Sequence, residues 1–150
     1  MKPFTIRKAT KNDLPDILNL YLQAGFDDQE TLDLSSAEKI LEQMHHYPCY
    51  DVYVAIRDEK VIGTFTLLIM NNLAHQGAPS GIVEDVVVSS DCRGQGVGKQ
   101  MMAYAMKECQ KAGCYKLSLS SNMKREDAHH FYEKIGFEKH GYSYLVRLGQ

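Results

Sequence analysis

Apolar positions along this chain recur with two periods, and the switches between them divide it into elements. Residues 4–8 form a short strand candidate. Thr10 with Asp13 three residues later resembles a capping box, with Asp in place of the usual Glu or Gln, and Leu14, Ile17, Leu18 and Tyr21 then fall on one helical face. Ser35 with Glu38 repeats the device ahead of a second stripe of Ile40, Leu41 and Met44. Between the two stripes, residues 25–34 are acidic and poorly periodic, which predicts a loop or a broken helix. Residues 50–57 and 61–70 are rich in β-branched and aromatic side chains, and Asp58, Glu59 and Lys60 make a short turn between them, so a hairpin is expected. Residues 71–80 read as a loop. Residues 82–88 form a strand in which Val86, Val87 and Val88 predict burial on both faces. Val97, Met101, Ala105 and Cys109 then recur every fourth residue, with Met102 and Met106 beside them, in a helix that ends at Gly113. Residues 115–120 are another strand, Ala128, Phe131, Tyr132 and Ile135 mark a last helix closed by Gly136, and residues 138–148 read as one or two final strands. Strand, two helices, three strands, helix, strand, helix and strand make a mixed α/β sheet with helices on both faces.

Composition narrows the setting. A chain of 150 residues without repeat, linker or low-complexity run is expected to be one domain, 1–150. With 44% hydrophobic and 24% charged residues it is neither disordered nor collagen-like. Seventeen Lys and Arg against nineteen Asp and Glu leave a net charge of −2, which gives no reason to expect nucleic acid or an anionic membrane as partner. Residues 61–83 carry no formal charge, but Asn71, Asn72, His75, Gln76, Pro79 and Ser80 break the run, short of the ~20 apolar residues that a spanning helix needs. Cys49, Cys92, Cys109 and Cys114 show no C-x-x-C spacing and no histidine pairing, so no metal site is expected, and scattered thiols acting as small buried hydrophobes fit a reducing, cytoplasmic setting. His45 and His46 lie about 100° apart on a helix and read as surface residues.

The segment that carries chemistry is Arg93-Gly94-Gln95-Gly96-Val97-Gly98-Lys99, between the valine-rich strand and a helix. Successive glycines let main-chain N–H groups converge, the helix N-terminus adds partial positive charge, and Arg93 and Lys99 add full charges. That combination is a cradle for phosphate or diphosphate. It is not a P-loop, since Arg stands at 93 and Gln100 follows the lysine, nor the dinucleotide G-x-G-x-x-G, since Lys99 stands where the last glycine belongs.

Arg93, Gly96 and Gly98 match the R/Q-x-x-G-x-G/A signature of the acetyl-CoA site in the GCN5-related N-acetyltransferases (GNAT), and Ala128, Phe131-Tyr132-Glu133-Lys134 and Gly136-Phe137 resemble a second element of that family. The resemblance spans residues 82–137. It implies the GNAT fold: a mixed, mostly antiparallel sheet of six to seven strands, about four helices on both faces, and splayed central strands. It implies that main-chain groups of Val86, Val87 and Val88 bind the pantetheine arm, that residues 93–99 hold the diphosphate, and that Tyr132 protonates the departing coenzyme A thiolate. A base must also deprotonate the attacking amine, because an alkyl ammonium titrates near 10.4. Glu84 and Asp85, side by side in the strand and expected on opposite faces, are the candidates, Glu84 first; His75, in the loop before the strand, is a minor one.

The match departs from the family at one point. Where family members often place an asparagine three residues before the helix alanine, this chain has Arg125, and Asn122 lies three residues earlier; either could take over that cofactor contact. Residues 82–86 and 113–116 resemble glucosamine-6-phosphate N-acetyltransferases, and residues 121–129 resemble aminoalkylphosphonate N-acetyltransferases. Both types acetylate small amines bearing an anionic group, which Lys124, Arg125, His129 and His130 could face, although a solvated charged helix start is the plainer reading of those residues. The expectation is direct acetyl transfer from acetyl-CoA to a small primary amine without a metal or covalent cysteine intermediate. Acetylation of a protein N-terminus or lysine, or a non-catalytic acyl-CoA-binding module, are the alternatives, and a homodimer through the last strands is compatible with the resemblance.

Overall fold

The computed structural model describes residues 2–26 and 30–149. Four helices and five strands follow in the order β1 (Thr5–Lys8), α1 (Leu14–Ala24), α2 (Leu34–Met44), β2 (Tyr50–Arg57), β3 (Lys60–Met70), β4 (Ser80–Val88), α3 (Val97–Lys111), β5 (Lys116–Ser118) and α4 (Glu126–Lys134). The strands form one sheet in chain order, β1-β2-β3-β4-β5, antiparallel except for the parallel β4–β5 pair. The chain divides into two compact units, Met1–Ser118 with the whole sheet and Leu119–Gln150 with α4.

Strand alternation assigns the two faces of the sheet. On β3, Thr64 and Thr66 face α1, where Val52 and Val54 of β2 join Leu14, Ile17, Ala37 and Leu41 in a buried cluster. The intervening residues face α3. Phe65 stacks on Tyr53 at 5.1 Å, and Tyr53 meets Tyr104 of α3 at 5.5 Å. Gly63 has no side chain because α3 and β4 leave no room: a Cβ there would stand 2.7 Å from the Met101 sulfur and 3.2 Å from the Val87 carbonyl oxygen. Met101, Met102 and Ala105 of α3 are fully buried. Helices therefore cover both faces, as the hydrophobic pattern requires.

Local signals position the elements. Thr10 N–H donates to the Asp13 carboxylate at 2.7 Å, the reciprocal half of the capping box, and Arg7 clamps the same carboxylate at 2.7 and 2.9 Å. The second box is displaced: Asp33, not Ser35, caps α2 by accepting from Ser36 N–H at 3.0 Å. A two-residue turn closes the β2–β3 hairpin, with Asp58 and Glu59 both at positive φ, 49° and 64°, the twist a tight hairpin demands. Gly25, at φ 73°, ends α1, and of the acidic stretch that follows, residues 27–29 lie outside the described residues.

Two expectations need correcting. Among the described residues the sheet has five strands rather than six or seven, because residues 138–149 form no strand. Tyr142, Tyr144, Val146 and Leu148 do alternate, but each is at least 77% exposed; a period-2 pattern becomes a strand only where an edge and a burying face receive it. The cysteines also differ from a uniform set of buried hydrophobes. Cys109 alone is buried, which pushes its thiol up to about 12, whereas Cys49 is exposed and Cys92 and Cys114 are half-buried.

The Asp13 node can be tested. Burial works to raise its carboxyl, but Arg7 and Thr10 outweigh this and hold it below the ordinary 3.8. Asp13→Asn should lose about 1–3 kcal/mol at pH 7. A depressed folded-state value makes this contribution complete above the unfolded value and lost as pH falls through the folded one, so urea unfolding should show the gap between wild type and variant narrowing as pH falls below the ordinary 3.8.

Candidate active site

The middle of β4 is irregular in a way its sequence does not announce. Thr66 pairs with Glu84, but Thr64 pairs with Val87, so three steps on β4 face two on β3. The extra residue is a β-bulge at Asp85, whose φ of 52° is left-handed. The bulge breaks the alternation behind the opposite-faces expectation. Glu84 shares the α1 face with its register partner Thr66, and the Asp85 charge acts both on Glu84 and on Tyr21 of α1. Neither carboxylate is buried, although their neighbours Val83 and Val87 are. Desolvation raises both from their ordinary values, and the Asp85 charge raises Glu84 further; neither forms an ion pair among the described residues.

On its other edge β4 separates from β5. Pairing covers only Ser80–Lys116, Gly81–Leu117 and Ile82–Ser118, and β5 ends there. The central strands splay as expected, and among the described residues no strand takes the β4 main chain beyond Ile82 on that side. Val87 is buried while Val86 and Val88, on the opposite side of the strand, are only half-buried, so the burial on both faces predicted for the three valines is complete on one face alone.

β4 leads into the glycine loop. Gly94 and Gly96 both take positive φ, 71° and 77°, and Gly96 is the N-cap of α3. Gly98 lies inside the first turn of the helix. The amide of Gln100 donates to the Gly96 carbonyl at 3.1 Å, and among the described residues no protein acceptor takes the amides of residues 94–99. Six successive donors ending at the positive pole of a 15-residue helix form a strong anion-binding element. Arg93 and Lys99 are exposed beside it and belong to no ion pair among the described residues. The Gln95 side chain is engaged within the protein, accepting from Arg57 at 2.8 Å and donating to the Asp91 carbonyl at 2.9 Å. A cavity of about 320 Å³ opens at this end of β4, lined by Val87, Val88, Ser90, Arg93 and, from α1, Gln23 and Ala24.

Glu84, Asp85, the three valines and residues 93–99 are thus gathered along one strand–loop–helix run. His75 is not part of it. It stacks on Tyr115 at 4.0 Å, before the start of β4, and the bulge lies about 15 Å further along the strand.

The second unit holds the other two candidates. Tyr132 on α4 packs edge-on against Phe131 and Phe137, at 5.1 and 5.6 Å. Burial pushes its phenol up, with Arg125 pulling the other way, so the proton stays on at neutral pH. Asn122 uses its side-chain oxygen locally, accepting from Lys124 N–H at 2.9 Å, and its carbonyl meets His129 at 2.8 Å; this is a turn that starts α4.

Sequence reasoning missed Tyr21, Gln23, Ala24, Arg57 and Ser90. Tyr21 had been a helix-face residue only, yet its phenol, beside Thr66 and Thr64, is pushed up to about 12 by burial and by Asp85. A tyrosine at the edge of an apolar stripe was the one available signal.

Comparison with known proteins agrees with this geometry. The acetyltransferase (GNAT) family matches residues 14–137. An aminoalkylphosphonate N-acetyltransferase of Salmonella typhimurium is 31% identical over 146 residues, 95% of this chain and 90% of that protein. A glucosamine 6-phosphate N-acetyltransferase of Trypanosoma brucei brucei is 36% identical over 81 residues, 54% of this chain and 53% of that protein. A solved Agrobacterium tumefaciens structure superposes with a TM-score of 0.90 at 30% identity, covering 96% of this chain and 99% of that one. With the bulged, splayed strand running into a helix-capped glycine loop, these likenesses place the chain in the GNAT family of N-acetyltransferases.

Proposed function

We propose that this chain transfers an acetyl group from acetyl-CoA to the primary amine of a small molecule by direct attack. The observation that carries the reading is the run of amides from 94 to 99, which no protein acceptor takes among the described residues, at the end of a strand with a free edge. A diphosphate fits that donor set, with Arg93 and Lys99 as counter-charges, and the pantetheine arm fits the main chain of Val86, Val87 and Val88. When bound, acetyl-CoA supplies a thioester carbonyl open to nucleophilic attack.

The chain's own residues divide the remaining work. An N–H group near the bulge can hold the oxyanion that develops during attack, because the left-handed turn at Asp85 frees main-chain groups from the β3 ladder. Glu84 and Asp85, whose carboxyls desolvation raises and so makes stronger bases than ordinary carboxylates, accept the proton of the incoming ammonium directly or through water. Tyr132 retains its proton and donates it to the leaving thiolate. The near full-length relative named for aminoalkylphosphonates supports an acceptor that carries an anionic group, for which the exposed Lys124 and Arg125 are available.

Calorimetry with coenzyme A tests the cradle. Gly96→Val forces a β-branched residue into a left-handed position and should weaken binding about tenfold or more; unchanged affinity refutes the cradle. Tyr132→Phe should lower kcat about 10- to 100-fold with coenzyme A affinity kept, and full turnover would remove the acid role. Acceptors are compared across aminoalkylphosphonates, amino sugars, polyamines and peptides; turnover of peptides alone favours a protein acceptor, and coenzyme A binding without turnover of any amine favours a non-catalytic module.

Asp85 gives a stability readout. Its folded-state carboxyl is raised, so the ionised form is disfavoured by folding at neutral pH and the penalty disappears below the ordinary 3.8. Asp85→Asn should therefore melt at a higher temperature than wild type at pH 7, by a margin that closes as pH falls through 3.8, while turnover drops.

A further inference from the structure

Arg57 stands at the end of β2, its backbone fixed by pairing with Lys60 across the tight hairpin turn. From there its side chain crosses to the glycine loop. Nη1 donates to the Gln95 Oε1 at 2.8 Å and lies 3.9 Å from the Cys92 sulfur, while the guanidinium sits 5.8 Å from the centre of the Phe4 ring. Gln95 passes the connection on, donating to the Asp91 carbonyl at 2.9 Å. The arginine is otherwise poorly served: Nε and Nη2 are buried without an acceptor, and no carboxylate pairs with it among the described residues. A guanidinium keeps its charge in any protein environment, and burying one without a counter-ion is unfavourable.

The position of that charge supplies a reason for it. Gln95 lies between Gly94 and Gly96, two residues with no side chain and both at positive φ. A segment of this kind would sample many conformations if nothing held it, and Gln95 carries the side chain by which it can be held. Its two buried donors being enclosed, Arg57 is not itself a ligand-binding group. Its unneutralised charge nevertheless acts on whatever anion the adjacent amides receive.

We propose that Arg57 is a positioning residue for a diphosphate ester: by gripping Gln95 it fixes the glycine loop at the start of α3, and it adds an uncompensated positive charge to that site. The proposal rests on the acetyl-CoA reading above and names a residue, on the distant β2–β3 hairpin, that tunes donor affinity without touching the donor.

The test is calorimetry of coenzyme A binding to the full chain, wild type and variants, with thermal unfolding and steady-state kinetics alongside. Arg57→Met should weaken coenzyme A binding and raise the acetyl-CoA KM about tenfold, the scale of one charge-assisted hydrogen bond, while the acceptor KM holds. Gln95→Met should fall in the same direction. The double variant should be no weaker than the more affected single one, because both changes break one connection. Arg57→Lys, which keeps the charge without the planar fork, should recover part of the loss, and it carries the test with Gln95→Met if Arg57→Met does not fold. Wild-type affinity in the Arg57 variants, a lowered melting temperature with unchanged affinity, or strictly additive losses would overturn the proposal while leaving the acetyl-CoA reading intact. Failure of the wild-type chain to bind coenzyme A overturns that reading, and the proposal with it.

Discussion

One residue too many in β4 governs the site. From Thr66 to Thr64 the neighbouring strand offers three positions, and β4 sets four residues against them, Glu84, Asp85, Val86 and Val87. The surplus is absorbed at Asp85 in a left-handed conformation that most non-glycine residues avoid. From this follow the exposure of two carboxylates amid a buried strand, the shared side of Glu84 and Tyr21, and the interruption of main-chain pairing where an acyl group would be held. Loss of the β5 partner after Ile82 frees the opposite edge of the same strand. A strand left open on one edge and bulged on the other is poor sheet structure and good binding structure, because hydrogen-bonding groups withheld from the ladder are available to a ligand.

The packing explains how such a strand is tolerated. Its two ends are anchored while its middle is released. Ser80, Gly81 and Val83 are buried at one end, and at the other Val87 is buried and Ser89 N–H donates to the Ile62 carbonyl at 2.9 Å. Gly63 lets α3 lie close against β3 and β4, with Met101 and Val97 filling the space a side chain would take. The helix whose first turn offers free amides is therefore packed closely on the strand that precedes it, and the loop of glycines joins the two. Arg57, Gln95 and Asp91 form a connected chain across that loop.

Much of the site was legible from local chemistry. Glycines at 94 and 96 demanded positive φ, a helix had to begin near Val97, and Arg93 and Lys99 had to flank it; each of these depends on residues within a few positions of one another. Two carboxylates next to three valines marked a strand that carries polar groups out of a buried core, and Glu84 and Asp85 are exposed there. What stayed hidden involved registers and distant partners. Asp85 carries no mark of a bulge, since register is decided by β3 twenty residues away. Tyr21 and Arg57 read as a helix-face residue and a strand terminus, because their roles arise from contacts with β3, β4 and the loop rather than from their sequence neighbours.

The same division holds across the fold. Periodicity and turn chemistry determined that there would be four helices, a hairpin at Asp58 and Glu59, a capping box at Thr10 and a helix starting beside a glycine loop, because propensity, capping and φ preference act over one or two turns of chain. The alternating tail shows where that information ends: Tyr142, Tyr144, Val146 and Leu148 have the period of a strand and stand exposed without forming one. Whether an alternating segment pairs, where a sheet slips by one residue, and which arginine reaches which loop are settled by surfaces that meet only after the chain has folded. Hydrogen bonds and burial between distant segments decide them, and those energies are not written at any single position.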